Sequence, residues 1–324
     1  MNKWWMCVVS VAAILPGLAK AQEGPTFPTR PVRMVIHIGP GSSMDIIGRV
    51  LGQKLNDAWG QPLIVDNRAG AGGTIGMDVV AKAPPDGHTI LFASGSMAIA
   101  PSFYKKLPFD TLRDFEPITQ ITSRYNVLVV PVSSQLHSVK DVMALAKAKP
   151  GFVSYGSGGG TGSSDHLAGE LLALMTGTQM LHVPYKSGPQ VVTDLIGGQL
   201  VIYMGGVPVN LPMIKSGKLR PLGVSSLKRV AQLPDVLTIA EAGVPGFEVN
   251  VWYGLFAPRG TPQKIVVKIA ADVSRIVKTP EMRERFAGLG ADSEGTTPAA
   301  FRNYFRGDVE KWAKVIRAAK LTSE

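Results

Sequence analysis

Short apolar runs alternate along this chain with longer stretches in which apolar positions recur at helical spacing. The runs Met34–Ile38, Leu63–Asp66, Thr89–Ala93, Val127–Val130, Met180–Val183, Val201–Met204, Arg220–Val224 and the aromatic Val249–Ala257 read as strands. Between them, Ile46, Ile47, Val50, Leu51 and Leu55 predict one inward helical face, and Leu167, Leu171, Leu174 and Met175 predict another. Further helices are expected over Ile75–Lys82, Val139–Lys147 behind a Ser138 cap, Gln190–Ile196, Leu211–Lys215, Thr261–Val277 and from Pro298 to about Ala318. Pro101–Tyr104 and Leu107–Asp114 read as irregular or short helical pieces. Strand–helix alternation of this kind implies an α/β fold with parallel pairing.

Two corners share one grammar. In Met34–Leu55 a strand runs through Gly39-Pro40-Gly41-Ser42-Ser43 into a helix. In Val153–Met175 a short β-type run crosses a Gly/Ser loop into a helix that opens on Ser163, Ser164 and Asp165. Each aims backbone N–H groups and the positive end of a helix dipole at one point, which suits an anion. One corner alone is an ordinary βα turn; two, far apart in sequence, suggest two lobes facing one ligand.

Residues 1–21 stand outside this pattern. Lys3, the apolar run Trp4–Leu15, the breaker Pro16-Gly17 and the Ala19-Lys20-Ala21 site form an export signal, expected to be cleaved after Ala21 and to place the protein in the periplasm. The single cysteine, Cys7, leaves with it, so disulfides, thiol catalysis and cysteine-held zinc are excluded from the mature chain. The formal charge is +10, or +8 once Lys3 and Lys20 are removed. The cations are scattered and aromatics few, which argues against nucleic acid and leaves solvated surface with a mild bias towards anions.

Motifs for chemistry are missing. GAGGTIG and GSGGGTG have the wrong spacing for a dinucleotide fingerprint, and neither a Walker loop nor a GxSxG elbow occurs. His37, His88, His137, His166 and His182 never fall at metal-ligand spacing, so no metal or cofactor is expected. Ser163, Asp165 and His166 are too close in sequence to converge as a triad, and His166 reads as a helix-start residue. What remains are strand ends rich in Gly and Ser, namely Gly39–Ser43, Ser94–Ser96, Ser157–Ser163, Gly205-Gly206 and Ser225-Ser226. No arginine lies in these loops, so a carboxylate would be held by neutral donors and helix dipoles.

Over essentially the whole mature chain the sequence resembles the Bug-type periplasmic receptors of tripartite tricarboxylate transporters. The resemblance is carried by Asn67–Gly76 (NRAGAGGTIG), Ala83–Thr89 (APPDGHT), Asp114–Pro117 (DFEP), His166–Leu171 (HLAGEL), Val183–Lys186 (VPYK), Leu233–Val236 (LPDV) and Glu241–Gly243 (EAG). It implies a two-lobed Venus-flytrap fold, each lobe a central sheet flanked by helices. The chain would cross between lobes near Arg124–Val129 and Phe247–Trp252. Lobe one would hold residues 22–124 and 250–324, and lobe two 125–249. It further implies a monomeric, non-enzymatic receptor that passes a small carboxylate to the transporter's membrane components. The alternatives are a ligand sensor for a kinase and, with less support, an exported α/β hydrolase.

Together the residues and the resemblance define a contact set: Gly41, Ser42, Ser43, Asp45, Ser94, Ser96, Ser157, Thr161, Gly162, Ser163, His166, Tyr185 and Gly205. Three features depart from the family pattern. Ser42 and Ser43 replace a Gly and its follower, the Ser157–His166 corner is one residue longer, and Gly205-Gly206 stand where an Asp-Asn pair is common. Without that carboxylate a ligand amine loses its partner, so a plain acid is expected rather than an amino acid.

Overall fold

A computed structural model describes residues 27–321, so the export signal lies outside the described residues. The chain forms two sheets. The first contains β1 (Val32–Ile36), β2 (Leu63–Asn67), β3 (Thr89–Ser94), β4 (Phe115–Ser123), β10 (Tyr253–Pro258) and β11 (Asp292–Ser293), in the order β11-β4-β10-β3-β1-β2. The second contains β5 (Asn126–Pro131), β6 (Ser154–Ser157), β7 (Leu181–Pro184), β8 (Ile202–Gly206) and β9 (Leu219–Val224), in the order β7-β6-β8-β5-β9. Both sheets are mixed rather than parallel throughout. β1 pairs parallel with β2 and β3, and β6 with β7 and β8, whereas β10 and β5 enter antiparallel. These two are strands on which the chain arrives from the other sheet, not from a βα crossover on its own.

Alternate residues of each strand face opposite layers of helix. Met34, Ile36, Ile90 and Phe92 pack towards α1 (Ser43–Trp59) and α8 (Gln263–Val277), while Val35, Leu91 and Ala93 face α2 (Thr74–Ala81), α3 (Ser96–Phe103) and α10 (Pro298–Ala318). That second layer runs on into the other sheet through α4 (Val139–Ala148) and α5 (Ser164–Thr176); α6 (Gly188–Ile196) and α7 (Val207–Lys215) cover its far side. Trp252 sits in an aromatic cluster with Phe256, Phe301 and Phe305, and its indole N–H donates to Asp308 at 2.8 Å.

Several elements differ from the pattern-based expectation. β4 and α3 carry Pro117 and Pro101, which disguise them in the sequence, and α9 (Pro280–Gly288) was not anticipated. Val249–Ala257 is not one strand; it becomes β10 only from Tyr253. Ile46, Leu174 and Met175 are 40%, 45% and 40% exposed, so the inward faces of α1 and α5 are narrower than their spacing suggests.

The chain passes between the sheets twice, side by side. The Val251 N–H donates to the Arg124 carbonyl at 2.7 Å, and Tyr125 bridges Asn250 antiparallel. The Ser225 hydroxyl accepts from the Asn126 N–H at 2.9 Å and donates to the Val249 carbonyl at 2.6 Å, knitting the two passages together.

Candidate functional site

The two corners match residue for residue. Gly41 and Gly162 both adopt left-handed backbone, with φ of 79° and 81°. Ser42 and Ser163 follow as N-caps of α1 and α5, accepting from the N–H of Asp45 at 3.2 Å and of His166 at 3.4 Å. Each of those residues then reaches back to the preceding glycine. Gly41 N–H donates to the Asp45 carboxylate at 2.9 Å, and Gly162 N–H to His166 Nδ1 at 2.9 Å. Ser43 and Ser164 occupy the first helical turn, where the N–H groups have no partner within the helix.

This geometry sorts the expected contact residues. The Asp45 carboxylate is nearly buried and also accepts from Arg49 and Asn67, an arrangement that holds its pKa low despite the burial opposing it. It therefore shapes the loop. Ser42, Ser163 and His166 are likewise engaged in capping. The Ser157 hydroxyl binds the Gly160 carbonyl and His182, and the Tyr185 hydroxyl is turned onto Asp194 at 2.8 Å. Ser94 and Ser96 share a hydrogen bond beside His37, at the carboxyl ends of β1 and β3. Thr161 is exposed at the tip of the second corner, and Gly162 packs on Phe103. Any side chain at Gly205 would meet the Tyr203 ring, so its neighbour Gly206 is the one that lines the cleft.

The cleft wall of the second sheet encloses a cavity of about 210 Å³. Ser164 at the start of α5, Gly188 at the start of α6 and Gly206 at the cap of α7 all line it. Three helix N-termini thus face one small space, which is strongly favourable to an anion. Gly158 is glycine for a steric reason: a Cβ there would lie 2.5 Å from the Gly188 nitrogen. Asp165 is in the same wall, accepting from Gly158 N–H and the Tyr203 hydroxyl at 3.1 Å each. Burial pushes its pKa up, while these donors favour the ionised form.

Arg124, on the first passage between the sheets, completes the wall. One guanidinium nitrogen, Nη1, donates to the Tyr253 hydroxyl at 3.1 Å, and Nε is buried without a partner. Arg124 forms no ion pair among the described residues. Of the cavity residues, Gly158 and Gly206 belong to the Gly/Ser strand ends read from the sequence, and Ser164 and Asp165 to the helix start read there. Arg124, Asn126, Gly188 and Tyr203 were not singled out as contacts, and Arg124 reaches the cavity through the sheet crossing.

Two sheets joined by paired crossings, with a loop–helix corner at the carboxyl ends of the parallel strands in each, define a two-lobed solute-binding protein. The model of the tripartite tricarboxylate transporter family receptors matches residues 47–321, and the chain belongs to that family. It is 39% identical over 96% of its length to the UPF0065 protein of the tcbD-tcbE intergenic region of Pseudomonas sp. strain P51, covering 93% of that protein. It is 36% identical to BugT of Bordetella pertussis, covering 98% of both. Among solved structures, R. palustris Rpa4515 with adipate is 32% identical with a TM-score of 0.74, over 92% of this chain and 100% of that one. A TctC solute-binding protein from Polaromonas without ligand is 25% identical but has a TM-score of 0.82, over 90% and 100%. The resemblance read from the sequence is borne out, and the chain is a receptor of this transport family. No helix among the described residues is long and apolar enough to cross a membrane.

Proposed function

We propose that this protein is an exported, monomeric receptor that binds a small carboxylate without transforming it and presents it to the membrane components of a tripartite transporter. The observation that carries this reading is the convergence of the α5, α6 and α7 N-termini on one small cavity. Backbone N–H groups and Ser164 take the carboxylate there, and the Gly41–Ser43 corner meets it from the other side when the lobes close. The lobes are residues 22–124 with 250–324, and 125–249, a division supported by the strand membership of the two sheets. The bound adipate of Rpa4515 supports the ligand class.

The test is a thermal-shift screen of free acids against their methyl esters. A ligand that binds only the folded state at about a hundred times its Kd stabilises it by about 2.7 kcal/mol, a shift of at least a few degrees for a chain of this size. Acids should shift the melting temperature and esters should not, and small-angle scattering should give a smaller radius of gyration with a hit. Esters that bind equally, or are consumed, would refute the reading.

A further inference from the structure

We propose that His182 is a positioning residue of the second corner, holding the Gly160–Gly162 tip in the form that offers its free N–H to the ligand. This rests on the carboxylate reading above and adds to it a residue that acts on the corner from behind. β7 lies parallel beside β6 and sets His182, partly buried, against the end of that strand, with its ring stacked on His166 at a centroid distance of 3.8 Å. Its Nε2 is 2.7 Å from the Ser157 hydroxyl, which is in turn 3.0 Å from the Gly160 carbonyl. A serine hydroxyl has one proton to give; with that proton on Gly160, Ser157 accepts from the His182 Nε2–H.

The two stacked imidazoles thus take the two ends of the tip. His182 acts on the Gly160 carbonyl through Ser157, and His166 accepts from the Gly162 N–H at Nδ1. Glu170 Oε1 stands 3.6 Å from His166 Nε2 and accepts from the Tyr155 hydroxyl at 2.6 Å. A carboxylate on that side keeps the ring proton on Nε2 and leaves Nδ1 an acceptor. The tip needs such support. Gly160 and Gly162 both have left-handed φ, 72° and 81°, and glycine by itself holds no single conformation. Between them the Thr161 N–H has no partner among the described residues, which makes it a donor the tip has left to give. Gly162 also lies against Phe103 of α3, a helix layered on the other sheet, so the form of the tip bears on how the two halves meet.

Titration calorimetry with adipate at pH 7.5 compares wild type with His182→Leu, which fills the space without a donor, and His182→Gln, whose amide can still donate to Ser157. The Leu variant should bind about tenfold weaker, the worth of one hydrogen bond, and the Gln variant should stay within about threefold of wild type. Ser157→Ala should lose as much as His182→Leu, and the double variant no more than either, because both break the same chain of contacts. In NMR spectra the Thr161 and Gly162 amide signals should move in His182→Leu and Ser157→Ala and stay in place in His182→Gln. Ser157→Ala and His182→Gln carry the test if His182→Leu does not fold. Unchanged affinity in the donor-less variants, equal losses with Leu and Gln, or additive losses in the double variant would overturn the proposal while the carboxylate reading stands. If wild type binds neither adipate nor the other acids of the screen, that reading fails, and the amide signals alone decide whether His182 holds the tip.

Discussion

His37 follows β1 just before the first corner, and its protonation should loosen that corner. It is 2% exposed; its Nε2 accepts from the Ser94 N–H at 3.0 Å, and Nδ1 has no partner. Burial lowers its pKa from 6.5 to about 4. The folded state therefore takes up the proton later than the unfolded chain, and the stability that His37 contributes is complete above pH 6.5 and lost as pH falls towards 4. With those two values, lowering the pH from 7.5 to 5 removes about 2 kcal/mol, a sizeable part of the stability of an ordinary domain. Urea unfolding at both pH values measures it, with His37→Gln as the comparison. The variant should lose about 2 kcal/mol less than wild type over the same interval. His182, lowered to about 4 by burial and then by the His166 charge, acts in the same direction and remains in both proteins. Identical losses in wild type and variant, or an NMR titration of His37 near 6.5, would refute the assignment.

Other outcomes follow from the same geometry. Gly169→Ala places a Cβ within 2.2–2.7 Å of three Tyr155 ring atoms and should cost about 1–3 kcal/mol in unfolding experiments. Ser163→Ala removes the α5 cap and should cost about 1 kcal/mol. Ser43→Leu, at a side chain that makes no hydrogen bond among the described residues, should lower carboxylate affinity in calorimetry with the melting temperature little changed. N-terminal sequencing of periplasmic material should start at Gln22; a start at Met1 or beyond Glu23 would contradict the export signal.

The parts of this molecule that were legible in its sequence are those built from neighbours. Both corners were visible because caps, left-handed glycines and helix starts are local, and their anion preference follows from the backbone alone. Within those corners the serines divide by position: the Ser42 and Ser163 hydroxyls accept from helix N–H groups as caps, and Ser43 and Ser164 follow in the first turn. Proline misled the reading of β4, where Pro117 pairs with Phe256 across a register shift. Arg124 was invisible for a deeper reason. It lies in no Gly/Ser loop, and the pairing of its segment with Asn250 and Val251 on the second passage brings it to the cleft.

The position of β10 has a consequence for how the chain matures. β3 and β4 follow one another in sequence, yet β10 lies between them in the sheet. Until Tyr253–Pro258 is in place, each keeps a strand edge without its final neighbour, and β4 also awaits β11. All five strands of the other sheet lie between Asn126 and Val224, so that half can finish first. A chain truncated before Tyr253 would thus carry one completed half beside an open edge of β3 and a β4 without either neighbour, the kind of species that aggregates.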